Sequence, residues 1–149
     1  MSNFKRMFVV FDLDGTLADG THREHHITRP VGEKDWSAYF AECHNDLPKI
    51  PIIQTMRALM VCGHRCEIWT GRSAEVTAKT RQWLCEHGLA VVNIRQRAEG
   101  DHTQDDVLKE KWLDASDIKP DLVFEDRARV VSMWRSHGIT CCQVAPGEF

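Results

Sequence analysis

Met7-Phe8-Val9-Val10-Phe11 is an unbroken apolar run that stops at the polar segment Asp12-Leu13-Asp14-Gly15-Thr16. A short continuous apolar run suits a strand covered on both faces, and such strands belong to parallel sheets flanked by helices. The rest of the chain agrees. Ile52, Ile53, Met56, Leu59 and Met60 have helical spacing, with Pro51 in the first turn and Gly63 at the stop. A strand is expected over 66–69. Val76, Trp83 and Leu84 mark a helix from Ser73 to Gly88, followed by a strand over 89–94. Val107, Leu108, Trp112 and Leu113 mark the next helix, and 122–124 the next strand. Val130, Val131 and Trp134 mark a last helix ending at Gly138, before a strand over 139–144. Strands alternating with helices imply an α/β parallel sheet with right-handed crossovers. The polar, histidine-rich stretch 18–48 interrupts this pattern. It reads as a flap inserted after the first strand, with one short helix over 36–43.

Ligands of such sheets bind beyond the carboxyl ends of the strands. The residues expected there are Asp12 and Asp14, Thr70-Gly71-Arg72, Arg95 and Arg97, and Glu125-Asp126-Arg127. These are acids, a hydroxyl and arginines, the groups that handle phosphate. A phosphomonoester dianion repels a carboxylate unless a cation lies between them. Magnesium takes one or two carboxylates, phosphate oxygens and water, and Asp12 and Asp126 fit that role. Asp12 can then act as a covalent nucleophile. Asp14 can protonate the leaving alkoxide and later activate the attacking water. Gly15 permits a sharp turn. Thr70 can bind a phosphate oxygen or cap a helix, a role for which Ser73 competes. Lys109 and Lys111 are both candidates for neutralising the developing charge.

With 149 residues the chain is expected to form one domain spanning 1–149. Its net charge of -3 gives no global attraction for nucleic acid, so any such contact needs a local group of arginines. The apolar run near the start is too short for a signal peptide, and the six cysteines lack metal-site spacing. Buried reduced thiols and a cytoplasmic location are expected, with no membrane span. His22, His25 and His26 read as solvated flap histidines rather than a zinc site, since a fourth ligand is missing. Trp83, Trp112 and Trp134 fit helix faces turned to the core. Trp36 either stacks on a base or pins the flap.

Asp12-Leu13-Asp14-Gly15-Thr16, Thr70-Gly71-Arg72, Lys109 and Glu125-Asp126 resemble the four motifs of the haloacid dehalogenase superfamily of aspartate-nucleophile phosphatases. A more specific resemblance covers nearly the whole chain. Asp105-Asp106-Val107-Leu108-Lys109-Glu110, the segment Glu125-Asp126-Arg127 through Arg135, and the ending Gln143 to Phe149 are similar to the 3′-phosphatase domain of bacteriophage polynucleotide kinase/phosphatase. The resemblance implies a haloacid-dehalogenase-like, Rossmann-like fold. It implies Mg2+ as cofactor and removal of 3′-phosphate from DNA or RNA ends. It assigns catalysis to Asp12, Asp14, Thr70 and Lys109, and substrate contacts to Arg23, Gly71, Arg72, Arg97 and Arg127. The implied metal site draws on Asp12, Asp14, Glu125 and Asp126. Glu125 stands where the phage-type domain has aspartate, so direct coordination is placed on Asp126. No G-x-x-x-x-G-K-[ST] occurs, so a 5′-kinase would have to be a separate chain, and there is room for a kinase or ligase partner. Two other readings remain. A small-molecule phosphatase would share the chemistry and differ in its pocket. A phosphate-binding module without activity is disfavoured by the intact Asp12 and Asp14.

Overall fold

The apolar run forms strand β1 (Phe8–Phe11), and all of its residues are buried. A computed structural model describes residues 4–30 and 32–147. Met1 to Asn3, Val31 of the flap, and Glu148 and Phe149 of the expected ending motif lie outside the described residues. After β1 come β2 (Ala18–Asp19), α1 (Trp36–Ala41), β3 (Leu47–Pro48), α2 (Ile50–Val61) and β4 (Arg65–Ser73). Then follow α3 (Thr77–Glu86), β5 (Asn93–Arg97), α4 (Asp105–Asp114), β6 (Leu122–Glu125), α5 (Ala128–Ser136) and β7 (Thr140–Gln143).

The main sheet has the order β5-β4-β1-β6-β7, and every pairing in it is parallel. This is an α/β fold, the class expected from the alternation of strands and helices. Because β1 is central, its side chains must be apolar on both faces. Val9 and Phe11 join a core with Ile53, Met56, Trp83 and Leu84 from α2 and α3. Phe8 and Val10 join the opposite core with Leu113, Val130, Val131 and Trp134 from α4 and α5. Burying each large apolar side chain of this kind contributes roughly 1.5–3 kcal/mol. The chain leaves β1 toward β4 and β5, then returns to β6 on the other side. That reversal opens a crevice between β1 and β6, where α/β sheets place their ligands.

Three helices stop in the same way. Gly63, Gly88 and Gly138 each follow the last turn of α2, α3 and α5 with positive φ, a conformation that costs other residues steric strain.

Some boundaries differ from the sequence reading. The strand expected over 89–94 forms later, at Asn93–Arg97. Leu89 and Val92 are buried in the preceding turn beside Trp83 and Leu84, so their apolar character reflects core filling. Arg95 therefore lies inside β5 rather than beyond a strand end. It stacks 4.4 Å over Trp69 and donates to the Trp112 carbonyl at 2.9 Å, away from the acids. Strand β4 runs on to Ser73, with an irregularity between Thr70 and Ser73. Ser73 caps the turn that follows, accepting from the Glu75 amide at 3.3 Å, which leaves Thr70 out of that role.

The flap carries more structure than one helix. Residues Ala18–Asp19 pair antiparallel with Leu47–Pro48 at its base. Two 3-10 turns, Thr21–His26 and Cys43–Asn45, flank α1. Phe40 and Cys43 pack with Val76 in a small core of their own.

All six cysteines are free, but only Cys43 and Cys141 are buried. Cys62 at the end of α2, Cys85 on α3 and Cys142 on the edge strand β7 are exposed, so the expectation of buried thiols holds for a minority. No helix among the described residues is long and apolar enough to cross a membrane.

Candidate active site

The end of β1 delivers Asp12 and the end of β6 delivers Glu125 and Asp126. The Asp12 amide donates to the Phe124 carbonyl at 3.0 Å, which fixes the two strand ends side by side. Single carboxylate oxygens of Asp12, Glu125 and Asp126 lie within 4.8 Å of one another, and all three residues are buried. Among the described residues this is the one group with the donor set and spacing to hold a metal ion.

Lys109 reaches this trio from α4. Its ammonium donates to Asp12 Oδ1 and Glu125 Oε2, both at 2.7 Å, and the residue is 1% exposed. Lys109 is thus bonded to two of three acids, and Arg127 adds its charge to all three. Burial, then the neighbouring Glu125 charge, pushes Asp12 from 3.8 up to about 7. Burial and the Asp12 charge push Asp126 up to about 6, and Glu125 rises as well, chiefly through burial. Burial works against the Lys109 charge, but Asp12 and Glu125 outweigh it and hold the ammonium protonated. Oxygen donors short of positive charge suit a hard divalent cation such as Mg2+.

Glu125 is occupied on both oxygens. Oε2 accepts from Lys109, and Oε1 accepts from the amides of Asp126 and Arg127 at 3.1 and 3.4 Å. Asp126 is less engaged, and two glycines make room for it. A Cβ on Gly15, which has φ +84°, would run into the Asp126 carboxylate. A Cβ on Gly147 would run into its carbonyl.

Asp14 stands apart from the trio. Its Oδ1 accepts from Arg23 Nη2 and Arg72 Nη2, each at 2.5 Å, and its Oδ2 accepts from Arg72 Nε at 3.3 Å. Burial raises the proton affinity of Asp14, but the Arg72 and Arg23 charges outweigh it and hold the carboxyl well below its usual range. Arg23 and Arg72 are fully buried. Both also donate to Asp46, so their guanidinium groups serve protein carboxylates rather than facing solvent.

Thr70 is buried, and its hydroxyl accepts from the Arg72 amide at 3.1 Å. Gly71 lies against Asp105 so closely that a Cβ would strike the carboxylate. Asp105 bridges two of the expected substrate arginines. Arg97 Nη2 donates to one of its oxygens, and Arg127 Nη1 donates to the other at 3.0 Å. Arg97 also donates to the carbonyls of Gly71, Asp101 and Thr103. Gly71, Arg97, Asp101, Thr103, Asp105 and Arg127 line a cleft of about 490 Å³, together with Arg129 and with Trp36 and Phe40 of the flap.

The flap histidines are engaged one by one. His22 pairs with Asp46 at 2.9 Å and His26 with Glu42 at 3.1 Å, while the His25 ring lies tilted against His26. Trp36 packs edge-on against Tyr39, tilts over Phe40 and remains 39% exposed beside the cleft.

Two residues of this neighbourhood escaped the sequence reading as site residues. Asp105 precedes Lys109 by one helical turn on the same face of α4, a periodicity visible in the motif. Asp46 offers no local signal, because its partner Arg23 lies 23 positions away.

A sequence model of one protein family, described as the polynucleotide kinase PNKP phosphatase domain, matches residues 6–149. Among solved structures, a chain of the Pnkp1/Rnl/Hen1 RNA repair complex superposes with a TM-score of 0.80 at 22% identity. The match covers 97% of this chain and 44% of that one, so the present chain spans less than half of its length. A chain named as a haloacid dehalogenase-like hydrolase, from Bacteroides fragilis, gives a TM-score of 0.68 at 16% identity, covering 97% of this chain and 90% of that one. A class C acid phosphatase from Bacillus anthracis gives 0.61 at 15% identity over 86% of this chain and 55% of that one.

Proposed function

From the premise that this chain belongs to the polynucleotide kinase PNKP phosphatase domain family, we propose that it is a magnesium-dependent polynucleotide 3′-phosphatase working through a phosphoaspartate. The observation that carries this reading is the convergence of Asp12, Lys109, Glu125 and Asp126 at the ends of β1 and β6. Asp12 and Asp126 would hold the metal directly. Glu125, with both oxygens committed to Lys109 and backbone amides, would support it indirectly. When bound, the ion supplies the positive charge that lets a carboxylate approach a phosphate dianion.

The chain's own residues do the rest. A carboxylate oxygen of Asp12 attacks phosphorus as the bond from phosphorus to the 3′ oxygen breaks. The departing alkoxide takes a proton from Asp14. Asp14, now a carboxylate, accepts a proton from water, whose oxygen attacks the phosphoryl group and releases inorganic phosphate and Asp12. Lys109, already on Asp12, offsets the charge gathered there in both steps. In the free protein Asp14 is held as the base by its two arginines. The double negative charge of a bound phosphate raises its proton affinity for the acid step.

Arg23 and Arg72 then act through Asp14 rather than on substrate. Thr70 and the turn at Gly71 supply donors to the phosphoryl oxygens. Arg97 and Arg127 line the cleft through which a nucleic acid end would approach, with Trp36 as a stacking surface. The likeness to a chain of an RNA repair complex supports a role in mending strand ends beside separate kinase or ligase chains.

The test is a panel of 3′-phosphorylated DNA, 3′-phosphorylated RNA and mononucleotide 3′-phosphates, assayed with and without magnesium. Oligonucleotides should turn over only with the metal. Efficient cleavage of the mononucleotide with none of the oligonucleotide would leave the chemistry standing and discard the polymer.

A further inference from the structure

We infer that Asp46 is a positioning residue that holds Asp14 in register through Arg23 and Arg72, and so couples the flap to the reacting edge of the sheet. This rests on the reading of Asp14 as the acid–base group. The Asp46 side chain has no exposed surface. Its Oδ1 accepts from Arg23 Nε at 2.7 Å and faces His22 Nε2 at 2.9 Å. Its Oδ2 accepts from Arg23 Nη2 at 2.6 Å and Arg72 Nη2 at 3.1 Å.

The decisive detail is which nitrogens are shared. The same two Nη2 atoms that donate to Asp46 also donate to Asp14 Oδ1. Two guanidinium groups are therefore clamped between two carboxylates, and neither can shift without moving both. Arg23 comes from the first turn of the flap, Asp46 from its return, and Arg72 from β4. The backbone at Asp46 is itself tied down, since its carbonyl accepts from Trp83 Nε1 on α3 at 2.8 Å. Arg23 is fixed further by the Tyr39 carbonyl and Arg72 by Thr80. With Oδ1 of Asp14 saturated and Oδ2 meeting only a 3.3 Å contact from Arg72, the clamp leaves Oδ2 as the oxygen free to exchange a proton.

The Asp46 side chain has no exposed surface to meet a substrate, so an effect of its loss on chemistry must travel through the guanidinium groups it holds. Asp46→Asn keeps the shape but turns one acceptor into a donor facing a guanidinium. Turnover is measured on a 3′-phosphorylated oligonucleotide, whose alkoxide needs a proton to leave, and on p-nitrophenyl phosphate, whose leaving group does not. Asp14→Asn is the reference. It should lose at least about 10²-fold more on the oligonucleotide than on the aryl ester, the usual size of proton-transfer catalysis. Asp46→Asn should show the same skew, roughly tenfold or more, with KM for the oligonucleotide changed less than about threefold, as expected when a catalytic group is displaced. The ratio of two substrates on one preparation does not depend on how much protein is folded.

Equal losses on both substrates, or no loss, would overturn the role of Asp46 while the Asp14 skew stands. Absence of the skew in Asp14→Asn would overturn the acid–base reading, and the role of Asp46 with it.

Discussion

Two buried charge clusters lie next to each other at the sheet edge, and they are balanced differently. Around Lys109 three carboxylates share one bonded cation, with the Arg127 charge acting on them as well. Around Asp46 two carboxylates share two guanidinium groups. In the first, burial and mutual repulsion push Asp12 to about 7 and Asp126 to about 6. In the second, Asp14 is held far below its ordinary value in spite of burial. The first cluster keeps carboxyl groups raised above their ordinary values, and the second pairs its carboxylates with as many guanidinium groups. Perturbed carboxyl groups are a mark of function, whereas a saturated network fixes geometry.

The largest effect should come from breaking the first cluster. Asp12→Asn should lower turnover of a 3′-phosphorylated oligonucleotide by at least about 10⁴-fold, as removal of a covalent nucleophile does elsewhere. The same change relieves repulsion, so the metal-free protein should melt a few degrees higher than the wild type, roughly a gain of 1 kcal/mol or less. A drop in both activity and melting temperature would erase the contrast drawn above.

Breaking the second cluster should act on stability. Arg72→Met leaves the half-buried Asp14 and the fully buried Asp46 to share a single guanidinium. Removing one partner of a buried ionic network costs about 3–5 kcal/mol, which urea unfolding would register. A loss below about 1 kcal/mol would mean that the cluster is wetter than its burial implies.

The smallest effect is one of pH, and the two clusters should answer with opposite signs. Asp12 and Asp126 have folded values above their unfolded ones, so the folded protein binds extra protons between about pH 4 and 7. Their contribution is full below about pH 4 and is lost as pH rises through 6 and 7. Melting of the chelated protein should therefore fall by a few degrees from about pH 5 to 8. Saturating magnesium should flatten that slope, because the cation replaces the protons. Asp14 contributes above its unfolded value of 3.8 and loses that contribution only as pH falls further. A chelated melting curve that rises between about pH 5 and 8 would contradict the assignment of the trio.

Much of this was legible in the chain. The run into Asp12 and Asp14 located the central strand and the sheet edge where the acids gather, because a strand buried on both faces reads as a continuous apolar run. Lys109 and the pair Glu125-Asp126 were legible through motif spacing. What stayed hidden was side-chain allegiance. Arg23 and Arg72 read as phosphate ligands because arginine forks suit phosphate, yet in the free protein the same geometry satisfies Asp14 and Asp46. Leu89 and Val92 read as strand because apolar residues filling a core from a turn leave the same trace as a strand.

The three helix stops at Gly63, Gly88 and Gly138 lie where the chain turns back to begin a strand, at the far end of the sheet from Asp12. The turns that reverse the chain are thus kept at the opposite pole from the gathered acids. A substitution in one of these turns can change how the chain reverses while leaving the strand ends that carry Asp12 and Asp126 in place.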